Sequence, residues 1–178
     1  GGAGNDTFSY TVGGFNNHTL DITAGGFDTV ILSNVAVVTA DEHITVAGFS
    51  TGVGADKIKS MEGVTNIGNG GFQTIVAAAT DLTVGVDSTI VINTAVTTLT
   101  NPADVAGQVT NAIAAAIKAN PNTSAYTVAL YDAAGNADIY QVHINASADV
   151  AAGDITAVDF AAQLTGVAAN TLIGTNFV

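Results

Sequence analysis

The sequence predicts a mainly β fold with one packed α-helix, on three observations. The chain opens on a glycine-rich repeat, it continues in short alternating stretches rich in Val, Ile and Thr, and one amphipathic stretch carries helix-capping signals. At 178 residues it fits one domain, long enough to bury roughly 70% of the surface its unfolded form exposes. Alternation over residues 7–12, 18–23, 27–32 and 43–46 predicts strands separated by glycine turns. Further strands are expected at 73–78, 88–93, 125–131 and 138–144, the last two joined through the hairpin turn "AAGN" at 133–136. The helix is expected over 102–119. Asn101 can cap it, Pro102 suits its first position, Asp104 its first turn, and Val105, Val109, Ile113 and Ile117 line one face before "NPN". A shorter helix is expected over 157–164, capped by Thr156 and ended by Gly166.

Composition narrows the function classes. Fifteen acidic residues face only Lys57, Lys59 and Lys118, for a net charge of -12. Such a surface repels phosphates, which argues against nucleic acid and anionic lipid as partners. Charged residues are 10% of the chain, against about 25% in ordinary domains, so the polar surface rests on hydroxyls and amides. Without cysteine there is no disulfide framework, thiolate zinc site or Cys nucleophile. No apolar run is long enough for transmembrane insertion. The opening residues lack the pattern of a secretory signal and read as an excision point inside a longer chain.

The opening nonamer "GGAGNDTFS" fills every specified position of G-G-x-G-x-D-x-U-x, where U is large and apolar: Gly1, Gly2, Gly4, Asp6 and Phe8. A worn copy starts at Gly13, with Asn16, His18 and Leu20 at the later positions. The tail G-x-D-x-U recurs as Gly26, Asp28 and Val30, and as Gly54, Asp56 and Ile58. "GGFQTIV" from Gly70 repeats "GGFDTVI" with Gln73 in place of Asp28.

These residues resemble the RTX (repeats-in-toxin) nonapeptide of proteins exported through bacterial type I secretion systems. "ITVAGFSTGVGADKIKS", "YTVALYDAAGNADIYQVHI" and "AAQLTGV" resemble segments that follow such arrays. The resemblance is good over residues 1–60, diffuse over 125–178 and nearly absent over 77–124. It implies a short parallel β-roll (RTX-like) over residues 1–60, continuing into a β-sandwich-like or rolled sheet over 61–178, the two parts being separate or one continuous domain. In that family, glycine corners and Asp carboxylates of stacked turns surround calcium, a hard cation wanting six to eight oxygens. The implied metal residues are Gly2, Gly4, Asp6, Gly26 and Asp28. Asp6 equally suits a turn cap and Asp28 an Asx-turn, while Lys57 and Lys59 beside Asp56 disfavour a cation there. A complete site needs a second copy about 18 residues on. The separations here are 22 and 28 residues, which implies insertions and at most one or two partial sites.

Catalytic patterns are weaker. "GFSTG" matches the G-x-S-x-G elbow, and Asp138 and His143 follow in hydrolase order, but two further glycines stand where the elbow needs a helix, so Ser50 reads as a polar turn. His18, His43 and His143 lack metal-ligand spacing and read as solvent-facing strand residues. Asp132, Asp138 and Asp154 could pair for glycoside hydrolysis, yet such pairs are cheap in so acidic a chain. The tyrosines read as strand packing.

The expected function is therefore non-enzymatic: a calcium-responsive C-terminal part of a type I secreted S-layer or adhesin protein, secreted or on a bacterial cell surface. Its partners would be the type I secretion machinery, with copies of itself or other surface-layer components as further candidates. The alternative is the secretion and folding appendage of an exported lipase or metalloprotease. The last residues, "TLIGTNFV", lack the acid that often precedes the final apolar residues of an export address, a departure from the family's pattern.

Overall fold

The computed structural model describes residues 1–11, 17–33, 43–59, 71–82, 88–118, 124–145 and 149–178. The strands are β1 (Thr7–Thr11), β2 (His18–Asp21), β3 (Thr29–Ser33), β4 (Ile44–Ala47), β5 (Lys57–Lys59), β6 (Phe72–Ile75), β7 (Thr89–Ile92), β8 (Ser124–Tyr131), β9 (Ala137–Ile144) and β10 (Ile155–Thr165). The helix α1 spans Thr110–Ala116. The protein is mainly β, with two sheets ordered β1-β3-β5 and β2-β4-β10-β9-β8-β7-β6.

From β1 to β5 the chain passes back and forth between the two sheets, and each pairing among these strands is parallel. The repeat motif sets the register. Its U residues Phe8, Val30 and Ile58 lie side by side, as do the residues that follow each Asp, namely Thr7, Thr29 and Lys57. Val30, Leu32 and Ile58 of the small sheet pack with Ile44, Val46, Ile139, Ala162 and Leu164 of the large one. The other face of the large sheet packs Ile90, Ile92, Val128 and Val142 against Val109, Ile113 and Ala116 of the helical segment. With both faces covered, β7 is buried at all four positions and reads as a continuous apolar run.

The 1–60 and 61–178 segments share a sheet, because β4 pairs in parallel with β10. Strands β1 to β4 and β6 to β9 fall where alternation placed them, to within two or three residues. "AAGN" forms the β8–β9 turn, with Gly135 at φ 87 and the antiparallel register running from Tyr131↔Ala137.

Two expectations are corrected. Residues 157–164 are not a helix: they lie within β10, which runs between β4 and β9. Its interior from Asp159 to Ala162 is buried on both faces, and a register irregularity between Phe160 and Ala162 breaks the alternation that marks a strand. The helix expected over 102–119 is shorter. Asp104, not Asn101, caps it, accepting from the Gly107 and Gln108 amides at 3.0 Å. A π-helical turn, Val105–Val109, then leads into α1. Ile117 leaves the helix extended and bridges Thr80, so that pairing ends α1 before "NPN", whose residues lie outside those described. The strand of the copy "GGFQTIV", Phe72–Ile75, forms the far edge of the large sheet, parallel to β7.

Candidate metal centre

The sequence-predicted metal residues gather at one corner, where the chain enters the small sheet. Two backbone bonds along this corner, Thr29 N to Asp6 O at 2.8 Å and Lys57 N to Asp28 O at 2.8 Å, stack the three turns. Asp6, Asp28 and Asp56 therefore form a column, and their carboxylates bond between turns. The Asp6 amide donates to Asp28 Oδ1 at 2.8 Å, and the Asp28 amide donates to Asp56 Oδ1 at 2.7 Å. Asp28 and Asp56 are buried. Asp28 thus bonds to a neighbouring turn, not within its own loop as an Asx-turn would. Asp6 does cap its own turn, accepting from the Gly2 amide at 3.0 Å.

The glycines are required by close approach. A Cβ on Gly26, at φ +129, would lie 1.9 Å from the Gly4 carbonyl oxygen. Asn5 adds a parallel column, its Oδ1 accepting from the Phe27 amide at 2.8 Å. At the opposite corner Asn17 Oδ1 accepts from the His43 amide at 3.3 Å. Gly13 and Asn16 of the worn copy lie outside the described residues, but its His18 and Leu20 fall in β2, on the other sheet. Successive copies thus serve opposite sheets, and two copies with their insertion make one 22-residue turn.

Asp56 ends the column. Its Oδ2 accepts from Ser50 N at 2.7 Å and Ser50 Oγ at 2.8 Å, so both of its oxygens are committed. Ser50 is thereby a turn residue tied to Asp56, and His143 is exposed while Asp138 is buried on the other face of β9. The turn below comes from the far end of the chain. Phe177 bridges Ile58 in parallel, and Val178 N donates to Ile58 O at 3.0 Å. Asn176, fully buried, donates to Asp56 O at 2.9 Å and Ser50 O at 3.4 Å, and accepts from Gly52 N and Ile173 N at 3.2 Å each.

The fit to a hard cation is partial. Among the described residues Asp6 Oδ1 and Asp28 Oδ2 carry no hydrogen bond, so two adjacent carboxylates retain donor oxygens for calcium, with the corner carbonyls beside them. Asp56 does not fit, its oxygens being occupied. No group of three or more His, Cys, Asp or Glu is arranged to hold a metal among the described residues. Calcium at this corner would take most of its six to eight oxygens from backbone and water.

A second polar cluster joins Asp132 and Asp138, two of the three acids the sequence offered as a pair, through Gln163, which the sequence did not single out. Asp138, 0% exposed, lies between Leu130 on β8 and Gln163 on β10. Gln163 Nε2 donates to Asp138 Oδ1 at 3.0 Å and to Asp132 Oδ2 at 3.3 Å. Burial, foremost, pushes the Asp138 carboxyl up to about 7; the Gln163 bond lowers it and the Asp132 charge raises it further. Tyr140, on the same face, donates to Pro102 O at 2.9 Å, and burial drives its hydroxyl far above the ordinary range. Asp154 belongs to neither carboxylate, capping its own turn through Ala151 N at the opposite end of β9. Of the histidines, His18 and His143 are exposed as expected, but His43 stacks on Phe160 at 4.1 Å. Tyr126, Tyr131 and Tyr140 are buried strand residues.

Compared with known proteins, the chain matches no family model, no curated protein and no solved structure. No helix among the described residues is long and apolar enough to cross a membrane.

Proposed function

We propose that this chain is a calcium-responsive structural module of a type I secreted bacterial surface protein, serving secretion, folding and assembly at the cell surface. The observation that carries the reading is the in-register column Asp6–Asp28–Asp56, set on glycine corners of stacked parallel turns. Such a column brings carboxylates together only in the folded chain. An ion held there binds the native state and not the unfolded one, so external calcium stabilises the fold and its absence during export leaves the turns open. In this reading Asp6 and Asp28 supply the carboxylate oxygens and the glycine corners supply backbone carbonyls. The acidic, hydroxyl-rich surface suits neighbours bridged by divalent cations.

The test is a calcium titration of the intact chain, followed by circular dichroism and melting. A hundredfold excess of calcium over its Kd stabilises by about 2.7 kcal/mol, which raises the melting temperature by about 5–10 °C. Asp6→Ala and Asp28→Asn should each remove most of that rise. A melting curve unchanged across millimolar calcium in the unaltered chain would overturn the proposal.

A further inference from the structure

We infer that Asp138, bridged to Asp132 through Gln163, is a built-in proton store: its buried, under-provided carboxyl holds a proton whose loss loosens the hairpin end of the large sheet. The geometry leaves Asp138 under-provided. Its side chain is 0% exposed, Oδ1 takes a single bond from Gln163 Nε2 at 3.0 Å, and Oδ2 is buried with no hydrogen-bond partner among the described residues. An ionised carboxylate so placed forfeits hydration without replacement, whereas the protonated form loses far less. Asp132 is the opposite case. Its Oδ1 accepts from Asn136 N at 2.9 Å, and its Oδ2 accepts from Asn136 Nδ2 at 2.9 Å and Gln163 Nε2 at 3.3 Å. Asp132 thus has three donors where Asp138 has one, and burial raises the Asp138 carboxyl, which places the proton on Asp138. The Gln163 amide bridges both carboxylates, and being neutral it cannot balance a second negative charge.

Among the described residues, the surroundings offer no lysine or arginine. Lys57, Lys59 and Lys118 are the chain's only cationic residues apart from histidine, and all are exposed. From β8 the neighbour is Leu130, followed past the strand end by Asp132 itself; from β10 it is Gln163. Tyr140 shares the face on β9, its hydroxyl committed to Pro102 O. Beyond β10, β4 places Thr45 beside Gln163, and His43 lies against Phe160. From the covering loop, Asp104 turns its carboxylate to Gly107 and Gln108.

The sign follows from which state binds the proton. Asp138 ionises near 3.8 when unfolded and at about 7 when folded, so between those values the native state holds a proton the unfolded state has lost. Stability contributed by this pair is intact below the lower value and falls as pH rises towards the upper one, the unfolding constant increasing roughly tenfold per pH unit. The other carboxylates also respond to pH, so the informative quantity is the difference from a variant that cannot ionise at this position.

The experiment is urea unfolding of the intact chain and of Asp138→Asn from pH 4 to 9, with chelator present so that calcium plays no part. The expected result is a ratio of the two unfolding constants that climbs through pH 5 and 6 and levels above neutrality, with Asp132→Asn moving the midpoint to lower pH. Parallel profiles for the unaltered chain and Asp138→Asn would overturn the inference. Should Asp138→Asn fail to fold, carboxyl carbon NMR of the aspartate-labelled chain decides. One aspartic acid still protonated at pH 6 supports the store, and every aspartate ionised at that pH refutes it.

Discussion

Replacing Asp56 by alanine separates a hydrogen-bonded column from a purely ionic one. In the native chain its carboxylate accepts three bonds, from Asp28 N at 2.7 Å, Ser50 N at 2.7 Å and Ser50 Oγ at 2.8 Å. Bonds to a charged acceptor contribute about 1.5–3 kcal/mol each, and a buried donor left unpaired forfeits its full desolvation cost. The Asp28 amide is buried and has nowhere to turn, while Ser50 is exposed and can be rehydrated. Counting the first bond in full and the other two at a fraction gives a loss of about 3 kcal/mol. For a chain of this length that lowers the melting temperature by about 6–12 °C. Asp6→Ala, which frees only the exposed Gly2 amide, should cost about 0.5 kcal/mol under the same conditions. Melting in chelator is the assay, because without calcium only the hydrogen bonds remain. Were the carboxylates present solely as ion ligands, removing any of them would relieve repulsion, and the variants would melt at or above the unaltered chain. Asp56→Ala melting no lower than Asp6→Ala would refute the reasoning.

Asn176→Ala removes four bonds, three of them to the corner and one within the tail, and should cost about 3 kcal/mol by urea unfolding; a loss under about 0.5 kcal/mol would show the tail docks through the strand pairing of Phe177 and Val178 with Ile58. Gly48 and Gly52 make a matched pair for backbone strain. Both have positive φ, +85 and +110, but a Cβ on Gly48 would meet Thr23 backbone at 2.7 Å while one on Gly52 would meet open space. Gly48→Ala should lose more than about 2 kcal/mol and Gly52→Ala about 1 kcal/mol, and equal losses would count against the contact with Thr23.

What the sequence revealed and what it hid have physical reasons. The G-x-D-x-U tail is enough to place Phe8, Val30 and Ile58 in one register, because glycine corners and a buried apolar anchor recur at fixed offsets in each turn. The column forms although its members are 22 and 28 residues apart, so the unequal separations do not disturb it. Helix α1 is legible from its apolar face, but its start is not, since Asn101 and Asp104 are both good caps and only the folded loop chooses between them. The strand β10 is hidden by its burial on both sides and by its irregular register, and β5 by its brevity and its two lysines. Asp138 leaves a signal: it shares strand parity with Tyr140, Val142 and Ile144, so a carboxylate at that position faces the same packed layer. The parity is visible, but the helix and loop that close over the layer come from elsewhere in the chain.

The pairing of Phe177 with Ile58 sets which segments must meet before the fold can close. The glycine-cornered turns all precede β10 along the chain, yet β4 must wait for β10 and β5 for residues 176–178. Until then two strand margins stay bare and able to recruit a wrong neighbour. Such distant partners make the search for closure slow compared with local helix formation. Residues 155–178 must therefore be in place before the turns carried by residues 1–59 are sealed.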